Sequence, residues 1–251
     1  MRSWGLTDTG KARQDNQDYF YIDLMPEQEQ AICVVCDGMG GAKAGNIASQ
    51  MAAEIFVDEM RQRLKPEMKR KQMELALEDA ITQANAQVYR KSREKREYSG
   101  MGTTLVGCVI SQKKISIVNI GDSRAYLINE EGINRITRDH SLVEAMVMRG
   151  DLTQEQARQH PGKNLITRAL GTAQVVHGDY YSMGLEKGDI ILMCSDGLSN
   201  YVSDQEILYE VIHGGAIETC CKRLLDIVLS RGAPDNVTIT IFENDSGEEG
   251  R

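Results

Sequence analysis

Four short segments of this chain share one design, in which an apolar run of strand-forming residues meets an aspartate flanked by glycine or asparagine. They are Val34-Val35-Cys36-Asp37-Gly38, Val118-Asn119-Ile120-Gly121-Asp122, Leu192-Met193-Cys194-Ser195-Asp196-Gly197 and Asp235-Asn236-Val237-Thr238-Ile239. Runs this apolar read as buried strands. An aspartate at such a strand's end cannot continue the core, so a rigid element aims its carboxylate at the rim of the sheet. Asp-Gly and Asn-Gly pairs are also the commonest turn formers, and any one segment alone reads as a turn sooner than as a ligand. Four together, always with aspartate, point to one shared site. Carboxylate oxygens without accompanying histidine or paired cysteine are the ligand set of hard cations, so the expected occupants are Mg²⁺ or Mn²⁺.

The rest of the pattern indicates a mixed α+β fold. Ser3 to Asp8, Tyr19 to Asp23 and Ala31 to Cys36 read as strands. Ile47, Met51 and Ile55, then Met73, Leu77, Ala80, Ile81, Ala84 and Val88, recur at helical spacing and predict two helices around Pro66. The charged stretch Arg90 to Glu97 reads as the second helix's solvated end. From Thr103 the period becomes two, and Thr103 to Ile110, Ile115 to Ile120, Arg124 to Ile128 and Ile133 to Thr137 predict an antiparallel meander. Ser141 to Lys163 is helical, with Thr153 and Gln156 as a capping box, and is placed to lie over the site as a flap. A strand at Ile190 to Cys194, a helix capped by Ser203, a helix carrying Cys220, Leu224, Ile227 and Val228, and a strand at Val237 to Phe242 complete the expected order. No Pro-, Gly- or Ser-rich linker interrupts it. One domain over 1–242 with an acidic tail at 243–251 is therefore the expected organisation, built as antiparallel sheets covered by helices.

Composition narrows the partners. Lys+Arg 29 against Asp+Glu 37 gives a net charge of −8, which argues against a nucleic-acid or anionic-membrane surface. No signal-like start and no run of about 20 apolar residues is present, so a cytoplasmic protein without membrane contact is expected. Cys33 and Cys36 form a C-x-x-C, but three steps along a strand send the two sulfurs to opposite faces, so both read as buried apolar residues. Cys220 and Cys221 read the same way. None of His140, His160, His177 and His213 is placed as a metal ligand.

The glycines at 38, 40 and 41 let backbone approach an ion or a phosphate, and the Gly38 carbonyl is itself a hard ligand. A nucleotide-binding loop is disfavoured because Lys43 is followed by Ala44 rather than Ser or Thr. Arg13 reads as a phosphate fork or as a surface arginine in a turn. No Gly-x-Ser-x-Gly elbow and no cysteine-x5-arginine loop supplies a nucleophile.

Taken in order, Arg13-Gln14-Asp15-Asn16-Gln17-Asp18, Asp37-Gly38-Met39-Gly40-Gly41, Met101-Gly102-Thr103-Thr104, Gly121-Asp122-Ser123-Arg124, Asp139-His140-Ser141, Ser195-Asp196-Gly197-Leu198 and Asp235-Asn236 resemble the motif set of protein phosphatase 2C, in its bacterial branch. The resemblance spans nearly the whole chain. It implies a four-layer αββα sandwich, two central antiparallel sheets flanked by helix pairs, and phosphoserine/phosphothreonine hydrolysis by attack of a metal-bridging water. Asp37 is then expected to bridge two Mn²⁺ or Mg²⁺ ions, with Asp196 and Asp235 completing the first site and the Gly38 carbonyl serving the second. Asp122 with Asp196 is expected to hold a third, weaker ion. Arg13 is expected to take the substrate phosphate and 141–163 to be the flap. The implied partners are phosphorylated proteins and a cognate serine/threonine kinase, and the chain is expected to act as a monomer. Two positions depart from many relatives: Gln17 stands where glutamate is common, and Met39 where animal members carry a histidine proposed as general acid. The contrasting readings are a phosphoprotein sensor without turnover and a phosphatase of small metabolites.

Overall fold

The continuous apolar run Ala31 to Cys36 is buried on both faces, and its alternation decides how the layers stack. Ile32, Val34 and Cys36 enter one core with helical residues, while Ala31, Cys33 and Val35 enter another made almost wholly of strand residues. A strand so used must lie between a helix layer and a second sheet. The computed structural model, which describes residues 1–40 and 44–245, has that arrangement. Gly41 and the tail residues from 246 on lie outside the described residues.

One sheet has the order β1-β11-β10-β7-β8, from Arg2–Asp8 (β1), Val237–Glu243 (β11), Ile190–Cys194 (β10), Arg124–Asn129 (β7) and Gly132–Arg135 (β8). The other runs β2-β3-β5-β6-β9, from Asp18–Met25 (β2), Gln30–Met39 (β3), Leu105–Ser111 (β5), Lys114–Ile120 (β6) and Asp179–Gly184 (β9), with Gly102–Thr103 (β4) pairing β3. The pairings in both sheets are antiparallel. Helices α1 (Ala44–Arg63) and α2 (Arg70–Ser92) cover the second sheet through Ala48, Phe56, Met60, Leu77, Ile81 and Val88. On the opposite outer face α6 (Asp204–His213) and α7 (Ile217–Ser230) cover the first sheet through Ile207, Val211, Cys221, Leu224 and Val228. Helices α3 (Leu142–Arg149) and α4 (Gln154–Gln159) follow β8, and the single turn α5 (Asp196–Ser199) follows β10 and puts Leu198 into the core beneath α6 and α7. The expected αββα sandwich is present.

Several local expectations change. The predicted meander is two hairpins in different sheets: β5 pairs β6 and β7 pairs β8, but β6 and β7 do not pair. Between them Gly121, at φ +104°, turns the chain across the sandwich and leaves Asp122 at the crossover. Strand β9 was not expected because its residues are all half-buried or exposed and show no alternation. Helix α2 stops at Ser92, and Arg96–Tyr98 is a separate 3₁₀ turn. β11 runs to Glu243, and the Asn244 N–H donates to the Asp189 carbonyl at 3.0 Å, so pairing continues past Phe242. Cys33 and Cys36 do face opposite cores, and Cys33 stands across the β3–β5 ladder from Cys108. The capping boxes at Thr153/Gln156 and Ser203/Glu206 form as expected.

Phe56 is wholly buried where α1 meets the sheet. Phe56→Ala should therefore lower the unfolding free energy by about 3–5 kcal/mol, against less than about 0.5 kcal/mol for Leu75→Ala on the exposed side of α2. Urea unfolding followed by circular dichroism measures both.

Candidate functional site

The chain crosses between the two sheets at one end of the sandwich, and the predicted aspartates collect there. The β2–β3 register sets Asp18 directly opposite Asp37. Asp196 opens α5 just beyond β10, and Asp235 lies in the turn entering β11. These two are neighbours because a Cβ on Gly197 would lie 1.9 Å from the Asn236 carbonyl oxygen, a separation only glycine permits. Asp122 joins them from the β6–β7 crossover.

Hydrogen bonds lock the backbone around this group. The Asp37 N–H donates to Thr104 Oγ1 at 2.9 Å, and the Asp37 carbonyl accepts from the Thr104 N–H and from the Thr103 hydroxyl, both at 2.9 Å. Thr104 Oγ1 pairs in turn with Ser123 Oγ at 2.7 Å, which ties Asp37 to the segment carrying Asp122. The Ser195 hydroxyl donates to Asp18 Oδ2 at 2.7 Å and accepts the Thr238 N–H at 3.0 Å, so one buried serine joins both sheets behind the rim. Asn236 Oδ1 accepts the Gln17 N–H at 2.8 Å, and its amide donates to the Thr9 and Asp15 carbonyls. That fixes the loop bearing Arg13, whose Nη2 donates to Asp235 Oδ2 at 2.8 Å.

The carboxylates strongly perturb one another. Burial pushes the Asp37 carboxyl well up, and Asp18, Asp196, Asp122 and Asp235 add to the rise. Burial, then Asp196 and Asp139, raise Asp122 to about 8. Burial and Asp235 raise Asp196 to about 6, and burial raises Asp18 to about 7 against the Ser195 hydrogen bond. Such shifts mark carboxylates that need positive charge to ionise together. Arg124 supplies only part of it: its charge lowers Asp122 and Asp196 without cancelling their rise, and its guanidinium is engaged in a forked pair with Asp139, Nη2 to Oδ2 at 2.7 Å and Nε to Oδ1 at 3.0 Å. Among the described residues no three carboxylate, imidazole or thiolate groups converge tightly enough to hold an ion by themselves. The aspartates form an open ring.

A second element of the rim is an oxygen cradle. A Cβ on Gly45, at the start of α1, would sit 2.7 Å from Gln17 Oε1 and 2.8 Å from the Gly38 carbonyl oxygen. The space it would fill is thus lined by two uncharged hard donors beside the aspartates. On the other side, a cavity of about 590 Å³ opens between α3, α4 and the α5–α6 turn, with Asp122 and Asp196 in its wall.

Asp18, Asn236, Ser195 and Asp139 belong to the frame of the site, although the motifs that contain them give these four no part in it. Asp18 carried a usable signal, since it starts a strand and leads with a charge. The Ser195 and Asn236 contacts join residues 177 and 219 positions apart, beyond the reach of any local pattern.

A family model described as Protein phosphatase 2C matches residues 9–226. The chain belongs to the protein phosphatase 2C family. Its relatives include the serine/threonine phosphatase stp of Listeria monocytogenes serotype 4b (strain F2365), 33% identical over 245 residues, 98% of this chain and 96% of that one. Among solved structures, the serine/threonine phosphatase Stp1 from Staphylococcus aureus is 38% identical with a TM-score of 0.88, covering 95% of this chain and 93% of that one. The catalytic domain of the serine threonine protein phosphatase PstP, solved in complex with two manganese ions, is 30% identical with a TM-score of 0.81, covering 96% of each chain. Family membership makes this protein phosphatase 2C chain a protein serine/threonine phosphatase.

The raised carboxyls set the sign of a pH effect. Folded, these aspartates keep protons that unfolded aspartates release near pH 4, so their contribution to stability is full below about pH 4 and lost as pH rises through 6 to 8. In chelator, the Tm of the protein should fall between pH 5 and pH 8, and Asp122→Asn should flatten that slope. A Tm that rises over the same interval, measured by scanning calorimetry, would contradict the crowding.

Proposed function

We propose that this phosphatase hydrolyses phosphoserine and phosphothreonine in proteins at the aspartate ring, with Mn²⁺ or Mg²⁺ as cofactor and with a serine/threonine kinase as its counterpart. The observation that carries the reading is the ring itself: on top of burial, Asp196 and Asp122 raise the Asp37 carboxyl, Asp196 raises Asp122, Asp235 adds its charge to Asp37 and Asp196, and the Gly38 and Gln17 oxygens line a cradle beside them. An all-oxygen donor set with excess negative charge fits hard divalent cations. In this reading Asp37 serves two ions, Asp196 and Asp235 complete the first site, the Gly38 carbonyl belongs to the second, and Asp122 with Asp196 forms a third. Bound there, divalent ions lower the pKa of water and neutralise phosphoryl oxygens.

The chain's own residues then do the positioning. Arg13 keeps one N–H on Asp235, and its guanidinium, about half exposed, offers its remaining donors to two phosphate oxygens at once. Threonines 103 and 104 hold the Asp37 backbone still while charge develops in front of it. Met39 cannot donate a proton, so the leaving alkoxide takes its proton from water at the rim. Gln17 contributes an amide oxygen without charge, which makes the second site the less negative of the two. Residues 1–242 are read as the catalytic domain, 141–163 as its flap, and the chain as a monomer acting in the cytoplasm on phosphorylated proteins. Among the described residues no helix is long and apolar enough to cross a membrane.

Turnover of a phosphothreonine peptide should depend on added Mn²⁺ or Mg²⁺ and vanish in chelator, whereas a sensor that has lost turnover would bind the peptide and release no phosphate. Under saturating Mn²⁺, Asp37→Asn should lower kcat at least about a hundredfold and Asp122→Asn much less, because Asp37 is shared by two ions. If Asp122→Asn is the more damaging, the assignment of ions to aspartates fails.

Arg13→Ala should raise KM for the phosphopeptide roughly tenfold with a smaller change in kcat, since a fork that grips phosphate before and during attack contributes mostly uniform binding. Steady-state kinetics that show kcat loss at constant KM would move Arg13 to transition-state stabilisation alone.

A further inference from the structure

His140 is only 7% exposed and makes contacts on both sides of its ring. Its main-chain N–H donates to the Gly121 carbonyl at 2.8 Å, and its Nδ1 accepts the Gly121 N–H at 3.1 Å. An accepting Nδ1 places the ring proton on Nε2, which lies 3.2 Å from Asp179 Oδ2 and donates to it. Arg168 Nη1 grips the other oxygen of Asp179 at 2.8 Å and the His177 carbonyl at 2.9 Å, and lies 3.1 Å from His140 Nε2. Burial lowers the imidazole's pKa, in keeping with a neutral ring.

The same residue stands at the base of the flap. Ser141, the next residue, caps α3 by accepting the Glu144 N–H and bridges to Ile166, and Leu142 N–H donates to the Leu165 carbonyl at 2.8 Å. The His140 carbonyl accepts the Thr167 N–H at 2.7 Å. The flap therefore leaves and re-enters the body at His140, and Gly121, held by its ring, precedes Asp122.

We propose that His140 is a positioning residue that couples the flap to Asp122: Nδ1 fixes the Gly121 peptide and so aims the Asp122 carboxylate, while Nε2, through Asp179 and Arg168, holds the flap's returning segment. The inference rests on the reading of Asp122 as an ion ligand. A displacement of the flap base that turns the imidazole disturbs both contacts together, which connects flap position to the ion held by Asp122 and Asp196. A histidine that merely fills space would have no such two-sided effect.

Two substitutions separate the halves. His140→Asn keeps an acceptor at the Nδ1 position and loses the reach to Asp179; His140→Gln keeps a donor at the Nε2 position and loses the acceptor for Gly121. Two measurements read them: Mn²⁺ binding by electron paramagnetic resonance of the free ion, and tryptic cleavage in chelator at Arg149, Arg158 and Lys163 within the flap. The expected result is that His140→Gln weakens the weakest Mn²⁺ site about tenfold with flap cleavage nearly unchanged. His140→Asn, and Asp179→Ala as a variant on the exposed side, should instead speed flap cleavage several-fold and leave Mn²⁺ binding within about threefold of wild type. The coupling itself is read by repeating the cleavage in saturating Mn²⁺: the wild-type flap should be cut several-fold more slowly than in chelator and both histidine variants should lose that difference, whereas a wild-type rate that Mn²⁺ leaves unchanged, or a difference that persists in both variants, would overturn the coupling. If neither histidine variant folds, Asp179→Ala decides alone, and unchanged flap cleavage in it overturns the proposal. Absence of a third, weak Mn²⁺ in the wild-type protein would instead refute the reading of Asp122 on which the proposal stands.

Discussion

Carboxylates crowded at the end of a β-sandwich are the constraint on which the rest of this structure turns. Two like charges 4 Å apart oppose each other by roughly 4 kcal/mol at an effective dielectric constant of 20, and a whole domain is stable by only about 5–15 kcal/mol. A ring of Asp18, Asp37, Asp122 and Asp196, each titrating above the ordinary carboxylate range, is therefore a substantial fraction of the stability margin. The fold tolerates it because no aspartate can move away. Asp37 is within a strand paired on both sides, Asp196 heads a helix turn pressed onto Asn236, and Asp18 is bound by Ser195 from the other sheet.

This rigidity is what an open all-oxygen site requires. Flexible carboxylates would swing apart to relieve repulsion, and a cation would then have to pay the entropy of gathering them. Here the ordering is done in advance by the sandwich, so binding of any divalent ion relieves strain that folding has already stored. Uncharged donors share the work. Gly38 and Gln17 bring oxygen to the cradle above Gly45 without adding charge, which limits how far mutual repulsion can rise.

Much of this was open to reading in the sequence, for reasons that differ from element to element. Asp37, Asp122, Asp196 and Asp235 stood out because each interrupts or borders a run of buried strand residues, and the sandwich brings all four to one end. Helices α1 and α2 announced themselves by their spacing, and Ser203 and Thr153 by their caps. Strand β9 did not, because Asp179–Gly184 is an edge strand with no buried face to impose alternation. The meander reading failed between Ile120 and Arg124 because local period cannot say in which sheet the next strand pairs; a turn that reverses a hairpin and one that crosses a sandwich use the same Gly-Asp-Ser residues. The joints Ser195–Asp18 and Asn236–Gln17 were invisible for a simpler reason. They depend on which distant segments meet, and a buried serine or asparagine in sequence gives no sign of its partner.

That last point bears on where control over the site lies. The contacts that hold the Asp37 backbone and the Asp18 carboxylate come from strands and their immediate extensions, whose positions the two sheets set, while Arg13 reaches Asp235 from a loop. A further join is that of the β6–β7 crossover to the segment that follows it into α3, which meet at Gly121 and His140. Of the four predicted aspartates Asp37 lies within a paired strand, Asp196 heads α5 and Asp235 precedes β11, whereas Asp122 sits on the crossover between the two sheets. A carboxylate so placed can be aimed by whatever grips its preceding peptide, whereas Asp37 cannot be re-aimed without breaking β3 from β4 and β5. The architecture thus separates aspartates fixed by strand pairing and by the contact of α5 with Asn236 from Asp122, whose preceding peptide is held by His140.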